Sequence, residues 1–344
     1  MPTSDDATTR RRTATLKDVA LLADVSIATA SKALNGRDNV HPDTRRRVVE
    51  AAERVSFTPN RLARTVAPQR TGTIGLLAHD LEARASTLII MGAEDAASAR
   101  QVAVVLCDAR GDSTRERHHL TVLLSQRVDG LLVIGSRTDP RPSLGRDLPV
   151  PVVYAYAPSL DPADCSVVPN STGSGALAVE HLLAGGRRRI AHVSGDADAL
   201  VARERADGAV RALADAGFPL AGGRVLYGSW TESWGRSAAH TLMDSDPQID
   251  AILCGSDHIA RGVLEALRDR AIDVPRTVAV MGFDNCPVLV GGARPPLTSV
   301  DTDLEVLGGR AAYRLLGPGA SGGHPGVERL DCRVAVREST AYGH

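Results

Sequence analysis

The stretch that decides the fold lies near the N-terminus, from Thr15 to Asn35, and reads TLKDVALLADVSIATASKALN. Its apolar residues recur at helical spacing on both sides of a short break: Leu16, Val19, Ala20 and Ala23 before it, and Ala30, Ala33 and Leu34 after it. Ser26 follows the break and suits the start of the second helix, because its hydroxyl can accept a hydrogen bond from a free backbone N–H. Small side chains let the two helices cross closely. The stretch therefore predicts a helix-turn-helix.

A third helix is predicted after the stop signal Asn35-Gly36. Pro42 suits the first helical position, and the apolar face continues through Val48, Ala51, Ala52 and Val55. Residues 1–70 carry 13 Lys and Arg against 8 Asp and Glu, whereas the other 274 residues carry 27 against 33. Arginines at 45–47 could simply be a solvated helix face, but beside a helix-turn-helix this basic head predicts a polyanionic partner.

Two segments, TLKDVALLADVSIATASKALNG and TRRRVVEAAERVSFTPNRLARTV, carry a family resemblance. They resemble the head of LacI/GalR-type transcription regulators. The resemblance implies that the helix from Ile27 to Asn35 enters the major groove of double-stranded operator DNA. Ile27, Ala28 and Lys32 would then face base edges, and Thr29 and Ser31 would touch phosphate. It also assigns Thr15, Ser26 and Asn35 to the DNA-binding surface.

The segment 59–66 resembles the hinge helix of the same family, which orders on operator DNA and wedges a leucine into the minor groove. The residues that the resemblance assigns to DNA here are Asn60, Arg61, Ala63, Arg64 and Val66. Valine stands at the wedge position, so weaker bending of the site is expected. A second departure is Asp24, which occupies the place of the turn glycine and tolerates a left-handed conformation better than most residues. The alternative for residues 59–66 is a plain linker.

From Thr73 onward, short β-branched runs alternate with helical stretches. Strands are predicted at 74–78, 102–106, 130–134, 150–154, 190–193, 251–254 and 278–281, and helices at 88–100, 114–126, 172–184, 203–216, 233–244 and 258–270. This alternation predicts doubly wound parallel α/β sheets. The number of strands is too large for one compact sheet, so two lobes with a ligand cleft between them are expected.

The family resemblance continues through this body and implies a periplasmic-binding-protein-like domain that binds a small-molecule effector, usually a sugar or its phosphate. It implies one lobe at about 72–166 plus 298–316 and another at about 167–297 plus 317–344. Matching positions assign the effector to Asn170, Arg203, Trp230, Ser256, Asp257 and Asp284. The alternative is a structural role, in which Asp257 and Asp284 cap helices or loops and Trp230 belongs to the core.

One departure concerns the effector. Where the family usually has Asn-Pro-Phe-Phe, this chain has Ala83-Arg-Ala-Ser86, and it holds only ten aromatic residues. Such a pocket stacks poorly on a pyranose. The effector is therefore expected to be a sugar or a smaller, more polar metabolite, with an acid group that Arg84 could bind.

The expected organisation is a tail at 1–14, an all-α helix-turn-helix domain at 15–58, a hinge helix and linker at 59–71, and the two-lobed α/β domain at 72–344.

No Walker loop, GxSxG elbow, HExxH pair or Rossmann fingerprint occurs, so no enzyme activity, cofactor or metal is expected. Five scattered cysteines indicate reduced thiols. The N-terminus lacks a secretion signal and no apolar run could span a membrane, which predicts a cytoplasmic protein. Residues 317–344 lack apolar heptads of the kind that would join two dimers, so a homodimer is expected. A sugar-binding protein without DNA regulation is the rival reading.

Overall fold

The computed structural model describes residues 14–34, 40–55, 57, 71–83, 85–317 and 324–341. The chain divides into two compact units, 1–71 and 72–344. The described part of the first unit contains three helices: α1 (Leu16–Leu22), α2 (Ile27–Leu34) and α3 (Pro42–Arg54). The apolar positions predicted from the sequence form its core, with Val19, Ala30 and Val48 fully buried. The helix-turn-helix and the third helix are thus confirmed.

Side chains fix the helix starts in this unit. The Thr15 hydroxyl accepts a hydrogen bond from the backbone N–H of Asp18, and the Asp18 carboxylate accepts from the backbone N–H of Thr15 at 2.7 Å, so α1 begins with a capping box. Ser26 accepts from the backbone N–H of Thr29 at 3.1 Å, as expected for a cap. Asp24 has a φ of 53° and so makes the left-handed turn between α1 and α2.

The second unit is an α/β structure. Its strands are β1 (Thr73–Ala78), β2 (Ala103–Asp108), β3 (Leu131–Ile134), β4 (Val152–Ala155), β5 (Cys165–Pro169), β6 (Ile190–Ser194), β7 (Leu226–Tyr227), β8 (Ala251–Cys254), β9 (Ala279–Phe283), β10 (Thr298–Asp301), β11 (Gly326–Leu330) and β12 (Arg333–Ala335). Its helices are α4 (Ser86–Ser98), α5 (Ser113–Ser125), α6 (Ser171–Ala184), α7 (Leu200–Asp215), α8 (Glu232–Ser245), α9 (Asp257–Asp269), α10 (Pro287–Gly292) and α11 (Leu304–Leu316).

Within the described residues, these strands form two six-stranded sheets. The first has the order β11-β5-β4-β3-β1-β2 and the second β12-β10-β9-β8-β6-β7. Every pairing is parallel except that of β12 with β10. Helices cover both faces of the second sheet, because the side chains of β6 alternate between a core shared with α6 and α7 and a core shared with α8 and α9. The two predicted doubly wound sheets are confirmed.

The expected lobe boundaries are wrong at two places. β10 belongs to the second sheet, where Thr298 pairs with Met281 of β9. β11 belongs to the first sheet, where Val327 pairs with Ser166 of β5. The chain therefore crosses between the lobes three times: between β5 and α6, between β10 and α11, and between β11 and β12.

Three helix pairs approach closely through glycine. A Cβ at any of these glycines would overlap the backbone of the facing helix, so the helices pack main chain against main chain. The pairs are Gly92 with Gly308 between α4 and α11, Gly175 with Gly208 between α6 and α7, and Gly235 with Gly262 between α8 and α9. Across the described ranges, the longest apolar helical stretches fall short of what a bilayer span requires.

Candidate functional site

Helix α2 turns one face into the core and the other to the surface. Ala30 and Ala33 are buried, while Ile27 is 50% exposed and Ala28 and Lys32 are also exposed. Thr29 and Ser31 lie half-buried along the edges of this face. The surface that the resemblance assigns to base edges is therefore free to meet a groove. Thr15 and Ser26 are engaged as caps at the starts of α1 and α2.

Helix α3 adds positive charge beside that surface. Arg46 and Arg47 are exposed, and Arg46 forms an ion pair with Asp43 at 2.9 Å. Exposed pairs of this kind contribute little stability, so the arginines remain available to phosphate. The other residues assigned to DNA lie outside the described residues: Asn35, Asn60, Arg61, Ala63, Arg64 and Val66.

At the carboxyl edge of the second sheet, an arginine and an aspartate form a buried pair. Arg205 of α7 is 4% exposed and donates to the Asp284 carboxylate at 2.9 Å and to the carbonyl oxygen of Gly255 at 2.8 Å. Its guanidinium stacks on the Phe283 ring at 4.4 Å, and its Nε is buried without a hydrogen-bond partner in the described structure. The pair lies where parallel α/β sheets bind ligands.

Asp284 has the geometry of a functional residue. Its φ of 94° is costly for a residue other than glycine. Its side chain keeps 36% of its surface exposed although one oxygen accepts from Arg205. A carboxylate held this way can accept hydrogen bonds from ligand hydroxyls, and the neighbouring guanidinium can donate to ligand oxygens.

Within the segment Ala202-Arg-Glu-Arg205, it is Arg205 that pairs with Asp284, whereas the sequence expectation assigned Arg203 to the effector. Arg203 is exposed and donates to the carbonyl oxygen of Ala197 at 2.8 Å. Two residues along a helix correspond to a rotation of about 200°, so Arg203 and Arg205 project from opposite faces. A signal for Arg205 was present, because it lies on the same face as the buried Ala202 and Ala209. A charged residue on an apolar helix face needs a polar partner.

Two other expected effector residues are structural. Ser256 is fully buried and caps α9 by accepting from the backbone N–H of Ile259 at 3.3 Å. Asp257 is 1% exposed, and its oxygens accept from the Ser299 hydroxyl at 2.6 Å and the backbone N–H of Cys286 at 2.8 Å. Burial, and then the charge of Asp284, raise the pKa of Asp257 to about 7. Through the bond to Cys286, Asp257 joins the start of α9 to the loop that follows Asp284.

The remaining expected residues that the structure describes are Trp230, which follows β7 and packs against the hydrophobic core beside α8 and α9, and Asn170, which follows β5. Trp230 is half-buried and lays its ring against Gly195, directly after β6, where a Cβ would collide with the indole. Asn170 caps α6 by accepting from the backbone N–H of Gly173 at 3.0 Å, and it donates to the Asp331 carboxylate at 3.0 Å. It thus lies at a crossing between the lobes. Arg84 is outside the described residues.

Within the ranges that the structure describes, the side chains form no group of His, Cys, Asp and Glu that could hold a metal ion. The five cysteines are free thiols, of which Cys165 and Cys254 are buried.

Two family models match the chain. Residues 15–60 match the lacI family of bacterial regulatory proteins, and residues 71–326 match the periplasmic binding proteins and sugar-binding domain of the LacI family. HTH-type transcriptional regulator CelR of Thermobifida fusca is 35% identical over 340 residues, covering 96% of this chain and 99% of CelR. Catabolite control protein A of Priestia megaterium is 33% identical, covering 88% of this chain and 91% of that protein.

Solved structures show the same similarity. A CelR–cellobiose complex is 31% identical and superposes with a TM-score of 0.61, covering 95% of this chain and 99% of that one. A lac repressor dimer bound to operator and the anti-inducer ONPF is 25% identical, with a TM-score of 0.73, covering 96% of this chain and 99% of that one. With its head and its two-lobed body both matched, the chain belongs to the LacI family of transcriptional regulators.

Proposed function

We propose that the protein is a cytoplasmic transcriptional repressor that binds a pseudo-palindromic operator as a homodimer and responds to a small polar effector held between its lobes. One observation carries this proposal. The same chain holds a recognition helix with an exposed face and a two-lobed body in which the buried Arg205 pairs with the partly exposed Asp284. The protein acts by binding, not by catalysis. Two copies on a twofold axis would read two half-sites.

On the operator, α2 supplies the contacts that distinguish bases. Lys32 can donate to guanine O6 and N7, and the apolar side chains of Ile27 and Ala28 can contact thymine methyl groups. Thr29 and Ser31, at the edges of the same face, would donate to phosphate oxygens. Because lysine lacks the bidentate geometry of the arginine guanidinium, we expect it to discriminate less strongly between bases.

In the cleft, Arg205 and Asp284 would bind the effector. Together they offer guanidinium donors and a carboxylate acceptor, a combination suited to vicinal hydroxyls. The half-buried indole of Trp230 supplies an apolar face for C–H groups. Because CelR has been solved with cellobiose, sugars are the first compounds to test. Polar acids come next, since Arg84 lies in the stretch 83–86, which lacks the two aromatic residues that the family usually has there.

Regulation would follow from linkage. An effector that binds one arrangement of the lobes more tightly shifts the protein toward that arrangement, and operator affinity changes in proportion. Preference for the DNA-incompetent arrangement makes the effector an inducer, and the opposite preference makes it a corepressor. A thermal-shift screen of cellobiose, hexoses and small carboxylates identifies the class of ligand. A titration of the operator with and without that ligand then shows whether it acts as an inducer or as a corepressor.

Selection of duplexes from a random pool by the purified protein tests the DNA-binding role. We expect a palindromic motif. Lys32→Ala should then weaken binding by ~1–3 kcal/mol at one base pair of each half-site. Lys17→Ala, which removes an exposed lysine from α1, is the matched control and should leave the preferred sequence unchanged. An equal loss of affinity for all sequences would make Lys32 a phosphate contact. Unpatterned binding by the wild type, both alone and with the ligand from the thermal-shift screen, would contradict the repressor role.

A further inference from the structure

Helix α7 of the second lobe is capped by a residue of the first lobe. Asp139 lies five residues after β3, on the carboxyl side of the first sheet. One of its carboxylate oxygens accepts a hydrogen bond from the backbone N–H of Leu200, the first residue of α7, at 3.1 Å. The local N-cap residue, Ala199, provides no side-chain cap. The start of α7 therefore draws its cap from across the cleft.

The surroundings of this contact are closed to solvent. The second carboxylate oxygen of Asp139 is buried without a hydrogen-bond partner in the described structure, and so is the hydroxyl of the neighbouring Thr138. Burial of a carboxylate oxygen is unfavourable unless other interactions compensate it. Here the positive end of the α7 dipole provides that compensation. The arrangement is stable only while the two lobes stay together, because separation would return Asp139 to water and leave α7 without its cap.

The helix that Asp139 caps is the one that carries Arg205. The two positions Leu200 and Arg205 are about one and a half helical turns apart, so the contact sets the place of α7, and with it the Arg205 guanidinium, relative to the first lobe. We propose that Asp139 is a positioning residue that acts as a latch favouring the closed arrangement of the lobes. The regulatory consequence rests on the proposed function, whereas the effect on lobe closure does not.

Lobe closure can be measured directly in the full chain. Spin labels at Gln126→Cys, at the end of α5, and Arg224→Cys, before β7, lie on exposed positions of different lobes, far along the chain from the latch. Labelled chains are diluted with unlabelled chains so that distances within one copy dominate. The background replaces the three cysteines that are not buried by serine: Cys107, Cys286 and Cys332. Pulsed electron resonance then gives the distribution of distances between lobes.

Three variants separate a latch from an ordinary helix cap. Asp139→Ala should broaden the distance distribution and add an open population, whereas Asp139→Asn should stay close to the wild type, because Asn caps helices about as well as Asp. Asp112→Ala is the matched control. Asp112 caps α5 within the first lobe by accepting from the backbone N–H groups of Thr114 at 2.6 Å and Arg115 at 3.1 Å. Its loss should lower stability without opening the lobes.

Operator affinity is the second readout, measured on the duplex that the wild type selects. Opening of the latch should change this affinity by roughly 3- to 30-fold, the range that corresponds to loss of one helix cap. The change is a loss if the closed arrangement binds DNA and a gain if it does not. If Asp139→Ala gives the distance distribution of the control, the latch is refuted. If the lobes open but the wild type selects no operator, either alone or with the ligand from the thermal-shift screen, the latch stands and the proposed function fails.

Discussion

The close contact between α6 and α7 makes Gly175→Ala a sensitive test of the packing that supports the effector site. A Cβ on Gly175 would lie 2.9 Å from the carbonyl carbon of Arg205 and 3.0 Å from the amide nitrogen of Ala209, and closer still to the carbonyl oxygen of Arg205. Ordinary contacts between such atoms lie at about 3.5–4.0 Å. The colliding atoms are main chain, so no side-chain rotamer can relieve the overlap. The whole of α7 must move by on the order of 1 Å.

The expected cost follows from two opposing effects. Overpacking of a well-packed interior costs ~1–3 kcal/mol, and a backbone collision belongs at the upper end. Alanine is favoured over glycine inside a helix by about 1 kcal/mol. The free energy of unfolding should therefore fall by about 2 kcal/mol. For a unit of this size, that corresponds to a melting temperature lower by roughly 4–8 °C.

Tryptophan fluorescence is the assay, because the only two tryptophans, Trp230 and Trp234, both lie in the second unit. Gly185→Ala is the control. Gly185 ends the same helix with a φ of −75°, and a Cβ there would meet its nearest neighbour at 3.4 Å. This variant should stay within about 0.5 kcal/mol of the wild type. If Gly175→Ala proves as stable as Gly185→Ala, the close approach of α6 and α7 is wrong.

Two further predictions concern the buried charges of the second unit. Since the folded-state pKa of Asp257 is raised from 3.8 to about 7, the folded chain holds a proton there that the unfolded chain releases above pH 4. Its contribution to stability is present at low pH and is lost as the pH rises to 7, so the free energy of unfolding should fall over this range. In Asp257→Asn, urea denaturation at several pH values should show no such fall. A slope identical to that of the wild type would contradict the raised pKa. Arg205→Lys keeps the positive charge but loses the planar set of donors of the guanidinium. Effector affinity should therefore fall at least about tenfold, measured by calorimetry with the ligand from the thermal-shift screen. Unchanged affinity would remove Arg205 from the site.

The elements that sequence reasoning located are those with strong local signals. Helices α2, α3, α8 and α9 have apolar residues on one face and polar residues on the other, and α1, α5, α6, α8 and α9 begin at side chains that cap them. The central strands β1, β3 and β8 are short β-branched or leucine-rich runs that are buried on both faces. Local propensity and burial agree in these elements, so their positions could be inferred without any knowledge of the tertiary structure.

Sequence reasoning did not predict β5, β7, β10, β11 and β12, and two of these strands show why. β10 is buried although it contains Thr298 and Ser299, because their hydroxyls bond to the Arg337 carbonyl and to Asp257. β11 is an edge strand with the sequence GVERL, in which the apolar Val327 is exposed and the charged Glu328 is half-buried. In both strands the partner groups come from distant parts of the chain. Hydrophobic patterning cannot identify a strand that is stabilised in this way.

The candidate site shows the same limit. Matching of positions selected both Asp257 and Asp284, but it could not show that the Asp257 oxygens already accept from Ser299 and a backbone amide, whereas Asp284 stays partly exposed. The choice between Arg203 and Arg205 depended on helix phase. Both questions turn on where a side chain points, and that direction is set by packing, not by residue type.

The exchange of β10 and β11 between the lobes bears directly on how an effector signal could be transmitted. Three crossings join the lobes, and side chains tie these crossings together. Asn170 donates to Asp331 at 3.0 Å, and Arg333 pairs with Asp301 at 3.0 Å and with Asp303 at 3.3 Å. A single linker would let one lobe rotate freely, whereas three linked crossings restrict the lobes to hinge bending. If the effector binds at Arg205 and Asp284 as proposed, it would therefore drive one defined motion, and the Asp139 latch at the start of α7 would favour its closed arrangement.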